Sequence, residues 1–180
     1  VQLLAGQFVL GETIEAAVER ADEQRREHSR LRFSYDMLGE GARTDSAALA
    51  YLAHYRHALE AVAANTGGQL PPYECDGISI KLSALCARYE ETQHARAMRE
   101  LVPRVWTLCE RAARANINLT IDAEESDRLE LSLDIFEALA AHVGRTYPQW
   151  SGLGLAVQAY QTRALDVASH VVELARRMQL

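Results

Sequence analysis

No apolar stretch in this 180-residue sequence approaches the ~20 residues needed to cross a bilayer. The N-terminus, Val1-Gln2-Leu3-Leu4, has neither the basic start nor the long apolar core of a secretion signal. It also lacks an initiating methionine, which suggests a piece of something longer. Positive charge is not in excess: 19 Lys and Arg stand against 25 Asp and Glu, a formal net charge of −6. Without a basic block, nucleic acid is not expected as a partner of this segment. Arg111 and Arg114 read as a solvated helix face. Cysteine is scarce. Cys75, Cys86 and Cys109 are odd in number and lack metal spacing, so they read as reduced cytosolic thiols. The histidines show no ligand spacing, and no metal is expected. Gly152-Leu153-Gly154 precedes a strand and has no third glycine, so it is no dinucleotide fingerprint. No phosphate-binding lysine loop is present.

What remains is an ordinary globular composition, 48% hydrophobic and 24% charged, long enough for one domain with a real core. Four short segments stand out: Phe33-Ser34-Tyr35-Asp36-Met37, Ile78-Ser79-Ile80-Lys81-Leu82, Leu119-Thr120-Ile121-Asp122-Ala123 and Leu155-Ala156-Val157-Gln158-Ala159. Side chains alternate across a strand. Ser34 and Asp36, Ser79 and Lys81, Thr120 and Asp122, and Ala156 and Gln158 therefore share one face, and bulky apolar residues take the other. Strands are expected at about 31–38, 77–84, 117–122 and 153–159. A helical pattern follows each, and another, from Thr13 to about Ser29, comes first. Helices are expected from a cap at Thr44-Asp45-Ser46 to a stop at Asn65-Thr66-Gly67-Gly68, and from about Thr92 to Arg114 with a kink or break at Pro103. Two more run from Ser126 or Asp127 to about Ala141 and over about 163–178.

Alternation of this kind predicts an α/β fold with a parallel sheet. An open doubly wound sheet buries both faces, and its strands are apolar throughout. The polar face here favours a (β/α)8 TIM-type barrel, of which about the first four β/α units are present. The domain division is then 1–30, an N-terminal lead-in and helix, and 31–180, the first half of the barrel.

Barrel sites lie at the C-terminal ends of the strands, where Asp36, Lys81, Asp122 and Gln158 fall. A lysine flanked by two carboxylates stays protonated and can hold a substrate carboxylate or a developing anion. Gln158 offers donors and an acceptor suited to a heterocycle edge. A depressed lysine could instead form a Schiff base, as in an aldolase-like lyase. A half barrel with open strand edges could also be a non-catalytic association module. The acids at 124–127 lie past the strand, where they favour a helix N-terminus rather than a metal.

Five blocks, in order, resemble the proline dehydrogenase domain of the bacterial bifunctional proline utilization A family. They are Phe8-Val9-Leu10-Gly11-Glu12-Thr13-Ile14, Ser34-Tyr35-Asp36-Met37-Leu38-Gly39-Glu40, Gly77-Ile78-Ser79-Ile80-Lys81-Leu82-Ser83-Ala84-Leu85, Ile121-Asp122-Ala123-Glu124-Glu125 and Val157-Gln158-Ala159-Tyr160-Gln161. The resemblance implies a barrel that binds FAD and oxidises L-proline to Δ1-pyrroline-5-carboxylate, passing electrons to membrane quinone. It implies that Lys81 helps hold the substrate carboxylate and that Gln158 contacts the flavin. It places Asp36 and Asp122 beside substrate and flavin, and pairs Glu40 with an arginine of the last barrel helix. It further implies a cytoplasmic protein, or one peripheral to the inner membrane, that is oligomeric or fused to an aldehyde dehydrogenase module. The family's fifth strand and last helix would lie beyond Leu180. The isolated chain is therefore expected to be inactive and to bind FAD weakly or not at all.

Overall fold

The computed structural model describes residues 9–66 and 70–178. Much of the lead-in, and Gly67 and Gly68 of the expected helix stop, lie outside the described residues. Helix α1 (Ile14–Glu27) comes first, and the Thr13 hydroxyl accepts from the N–H of Ala16 at 3.2 Å. Then follow β1 (Ser34–Asp36), α2 (Asp45–Thr66), β2 (Gly77–Ile80), a single turn α3 (Leu82–Leu85), α4 (His94–Ala115), β3 (Asn118–Ile121), α5 (Leu129–Thr146), β4 (Leu153–Leu155) and α6 (Ala164–Met178).

The strands form one parallel sheet in the order β1-β2-β3-β4. Sequential order is what successive β/α units of a barrel produce; a doubly wound sheet reverses its order at a switch point. The fold is thus α/β, the barrel type expected from the polar strand face. Tyr35, Ile78, Ile80, Leu119 and Ile121 are buried on one face. They join a core with Leu52, Tyr55 and Leu59 of α2, Leu101, Val105 and Leu108 of α4, and Ile135 and Leu139 of α5. On the other face Ser34 and Asp36 are exposed and Ser79 and Thr120 half-buried.

Four expectations need correction. The strands are shorter than predicted, because each chain leaves the sheet once its last ladder bond is made. Beyond Ile80 it closes into the turn α3, and beyond Leu155 it enters a loop, so Lys81, Asp122 and Gln158 lie just past strand ends. Helix α4 runs unbroken through Pro103. That proline and Arg99, whose carbonyl loses its usual partner, are both exposed, so water can satisfy the freed group. Neither Ser126 nor Asp127 caps α5, which starts at Leu129 after a 3-10 turn. It also extends to Thr146, past the expected Ala141.

Gly77 meets β3 so closely that a Cβ would lie 2.5 Å from the Asn118 carbonyl oxygen. Gly77→Ala must part the two strands, and we expect a loss of about 2 kcal/mol, read as a lower urea midpoint at unchanged slope. The three cysteines are buried free thiols. Burial pushes the Cys86 thiol up to about 11 and the Cys109 thiol up to about 12, which makes them poor nucleophiles.

Candidate active site at the strand ends

Register places the site residues on a slope. Asp36 stands level with Ser79, two residues short of Lys81. The ladder continues from the N–H of Asp122 to the Ile80 carbonyl at 2.9 Å, which puts Lys81 level with Asp122. It continues again from the N–H of Ala156 to the Ile121 carbonyl at 2.9 Å, so Gln158 stands two residues beyond Asp122.

The long stem of Lys81 spans the first of these steps. Its Nζ donates to both carboxylate oxygens of Asp36, each at 2.7 Å, and to Oδ2 of Asp122 at 2.9 Å. The lysine side chain is 17% exposed, Asp122 22% and Asp36 46%. Its backbone N–H donates to the buried Tyr55 hydroxyl of α2 at 3.1 Å. Burial pushes that hydroxyl up to about 12, so it remains a neutral partner. Burial also presses the Lys81 amine toward the neutral form, but the bonds and charges of Asp36 and Asp122 outweigh it and hold the amine protonated above the usual lysine range. An amine held charged in this way works against imine formation, which needs the free base. Lys81 is the only lysine in the sequence; all other Lys/Arg positions are arginine.

Gln158 is half-buried, and its amide is already oriented. Nε2 donates to the Glu124 carbonyl at 3.0 Å, and Oε1 accepts from the Gln161 side chain. One N–H and one lone pair are left for a ligand. Glu40 lies exposed in the β1 exit loop between Gly39 and Gly41, whose positive φ values of 123° and 66° suit glycine. Among the described residues Glu40 makes no ion pair, and the partners of the Lys81 ammonium are Asp36 and Asp122. Glu124 and Ser83 were not singled out as site residues by the sequence reading. The Glu124 carboxylate accepts the Ser83 N–H at 3.0 Å, and burial holds its carboxyl above the usual range. The signal available in the sequence was the even spacing of Asp122 and Glu124, which puts both on the polar side.

Among the described residues no three or more His, Cys, Asp or Glu are arranged to hold a metal. The donor set does fit a planar heterocyclic cofactor. A half-buried amide with free donor and acceptor capacity and a fixed cation both line the open polar face.

The family model described as proline dehydrogenase matches residues 17–180. The bifunctional protein PutA of Escherichia coli is 44% identical over 177 residues, which cover 98% of this chain and 13% of that protein. The Rhizobium meliloti PutA is 45% identical, with 98% and 14% covered. The chain thus spans about an eighth of the length of the curated relatives it matches. Among solved structures, a Bradyrhizobium japonicum proline utilization A point mutant superposes with a TM-score of 0.80 at 46% identity, covering 93% of this chain and 16% of that one. The Bdellovibrio bacteriovorus protein, inactivated by N-propargylglycine, superposes at 0.83 with 18% identity, covering 94% and 18%; that likeness shows the fold alone.

Proposed function

Because the chain belongs to the proline dehydrogenase family, we propose that residues 31–180 form the first half of a barrel that oxidises L-proline to Δ1-pyrroline-5-carboxylate with FAD, preceded by the 1–30 lead-in and helix. The observation that carries this reading is the Lys81 ammonium held between Asp36 and Asp122 on the polar face of the strand ends. FAD, when bound, supplies the hydride acceptor. The chain's own residues bind and orient. Lys81 presents a fixed positive charge to the proline carboxylate and turns the ring carbon in one direction, which is the positional part of catalysis. Asp36 and Asp122 keep that charge in place and complete one wall. Gln158, its amide already oriented, is the residue of this chain that would hold the cofactor, with Asp122 beside it.

The triad of Lys81, Asp36 and Asp122 carries a formal net charge of −1, so it does not by itself favour an anion. Further cations would join Lys81 at the substrate carboxylate, and Glu40, exposed and without an ion pair among the described residues, would steady one of them. The cations and the remaining strands would come from the longer protein, as would any aldehyde dehydrogenase module, oligomer contact or quinone partner. Among the described residues no helix is long and apolar enough to cross a membrane. We place the protein in the cytoplasm or at the inner membrane surface. The 180 residues alone are expected to bind FAD weakly and to show no turnover.

The test uses the parent protein in which this segment sits. Anaerobic L-proline is expected to bleach its flavin absorbance and to yield a product trapped by o-aminobenzaldehyde. Absence of both, or a borohydride-stable adduct of a carbonyl substrate at Lys81, would overturn the proposal.

A further inference from the structure

Past Ile80 the chain leaves the sheet and closes the turn α3. The first N–H groups of such a turn have no partner within it. Lys81 occupies the N-cap position but makes no capping bond there, because an ammonium only donates and these N–H groups need an acceptor. The missing acceptor comes from just past the end of β3: the Glu124 carboxylate takes the Ser83 N–H at 3.0 Å. Ser83 in turn anchors the β1 exit loop. Its hydroxyl accepts from the N–H of Gly41 at 3.1 Å, and its carbonyl from the N–H of Ala42 at 2.8 Å. Through its own carbonyl, Glu124 also holds the Gln158 amide at 3.0 Å. One residue therefore joins the exits of β2, β3 and β4, and reaches that of β1 through Ser83.

The Glu124 side chain is 9% exposed, with the Arg128 guanidinium 3.6 Å from its carboxylate. An apolar residue in its place would avoid the cost of burying a carboxylate but would leave the Ser83 N–H unpaired.

We propose that Glu124 is a positioning residue: it caps the turn after Lys81, so that the ammonium stays between Asp36 and Asp122, and its carbonyl sets the amide of Gln158. The meaning of this for catalysis rests on the function proposed above, but the coupling itself can be measured without proline or flavin.

Since Lys81 is the only lysine, reductive methylation of this chain with 13C-formaldehyde yields one side-chain signal, distinct from that of the N-terminus. Glu124→Ala is expected to speed Lys81 methylation about tenfold, the change in population that one lost hydrogen bond to a charged group allows. Glu124→Asp keeps the charge but falls short of Ser83, and should react as fast as the alanine variant. Glu124→Gln keeps an acceptor oxygen at the right reach and should restore the rate to within about twofold of the parent. A folded Glu124→Ala chain with the parent rate would overturn the proposal, and so would a glutamine variant as reactive as alanine. If the alanine variant does not fold, the aspartate and glutamine variants decide by the same criteria. Fast methylation in Glu124→Ala, alongside a parent protein that fails to oxidise proline, would leave the positioning role standing and remove the proposed function.

Discussion

Lys81→Met should lower kcat/KM for L-proline about a hundredfold in the parent protein, the loss expected when a charge-assisted contact of about 3 kcal/mol is removed. Two effects act together. The substrate carboxylate loses its cation, which raises KM. In addition, Asp36 and Asp122, each now held within 3 Å of the same Nζ, would face one another with nothing between them. Two like charges so close repel, which pushes the carboxylates apart and disturbs the wall they form. Steady-state kinetics, with KM and kcat read separately, measures the combined loss. Unchanged kinetics in the methionine variant would remove Lys81 from the site.

Asp76→Ala should cost the fold about 3 kcal/mol, the scale of breaking a buried ion pair by removing one partner. Asp76 is 7% exposed and sits immediately before β2, at the opposite end of the sheet from Lys81. Its Oδ2 accepts both terminal nitrogens of Arg25, at 2.7 and 2.9 Å, and the Tyr35 hydroxyl at 3.3 Å. Its Oδ1 accepts the N–H of Phe33 at 2.9 Å. One carboxylate thus ties α1, the entry to β1 and the entry to β2. Truncation leaves the Arg25 guanidinium, 21% exposed and stacked over Phe33, with Asp22 as its remaining partner. For a domain of this size the loss corresponds to a Tm about 10 °C lower. Asp76→Asn, which can still accept from Phe33, should recover part of the deficit. Thermal and urea unfolding of the three proteins measures this. An alanine variant as stable as the parent would show that Arg25 and Tyr35 are satisfied elsewhere.

The convergence of Asp36, Lys81 and Asp122 was legible because strand alternation is a strict period: once the apolar residues at 35, 78, 80, 119 and 121 are inside, the residues between them face the other way. Sequential parallel strands were legible for a similar reason, since each apolar segment is followed by a helical stripe. The strand exits were not. Leu82-Ser83-Ala84-Leu85 reads as extended or helical with equal ease, and its conformation is decided by an acceptor 41 residues later in the chain. Asp76 gave no signal either. A lone acid before a strand looks like a solvated loop residue until Arg25, 51 positions earlier, is brought beside it. Pro103 does not break α4, and whether a proline breaks a helix depends on which side of it faces water.

The offset between strands has a consequence for what can rest on this wall. From Asp36 to Lys81 and Asp122 the polar line climbs two residues, about 7 Å at the usual rise. The surface is a ramp, not a shelf. A flat molecule laid on it must lean, with Asp36 low at one margin and the Lys81–Asp122 pair higher beside it.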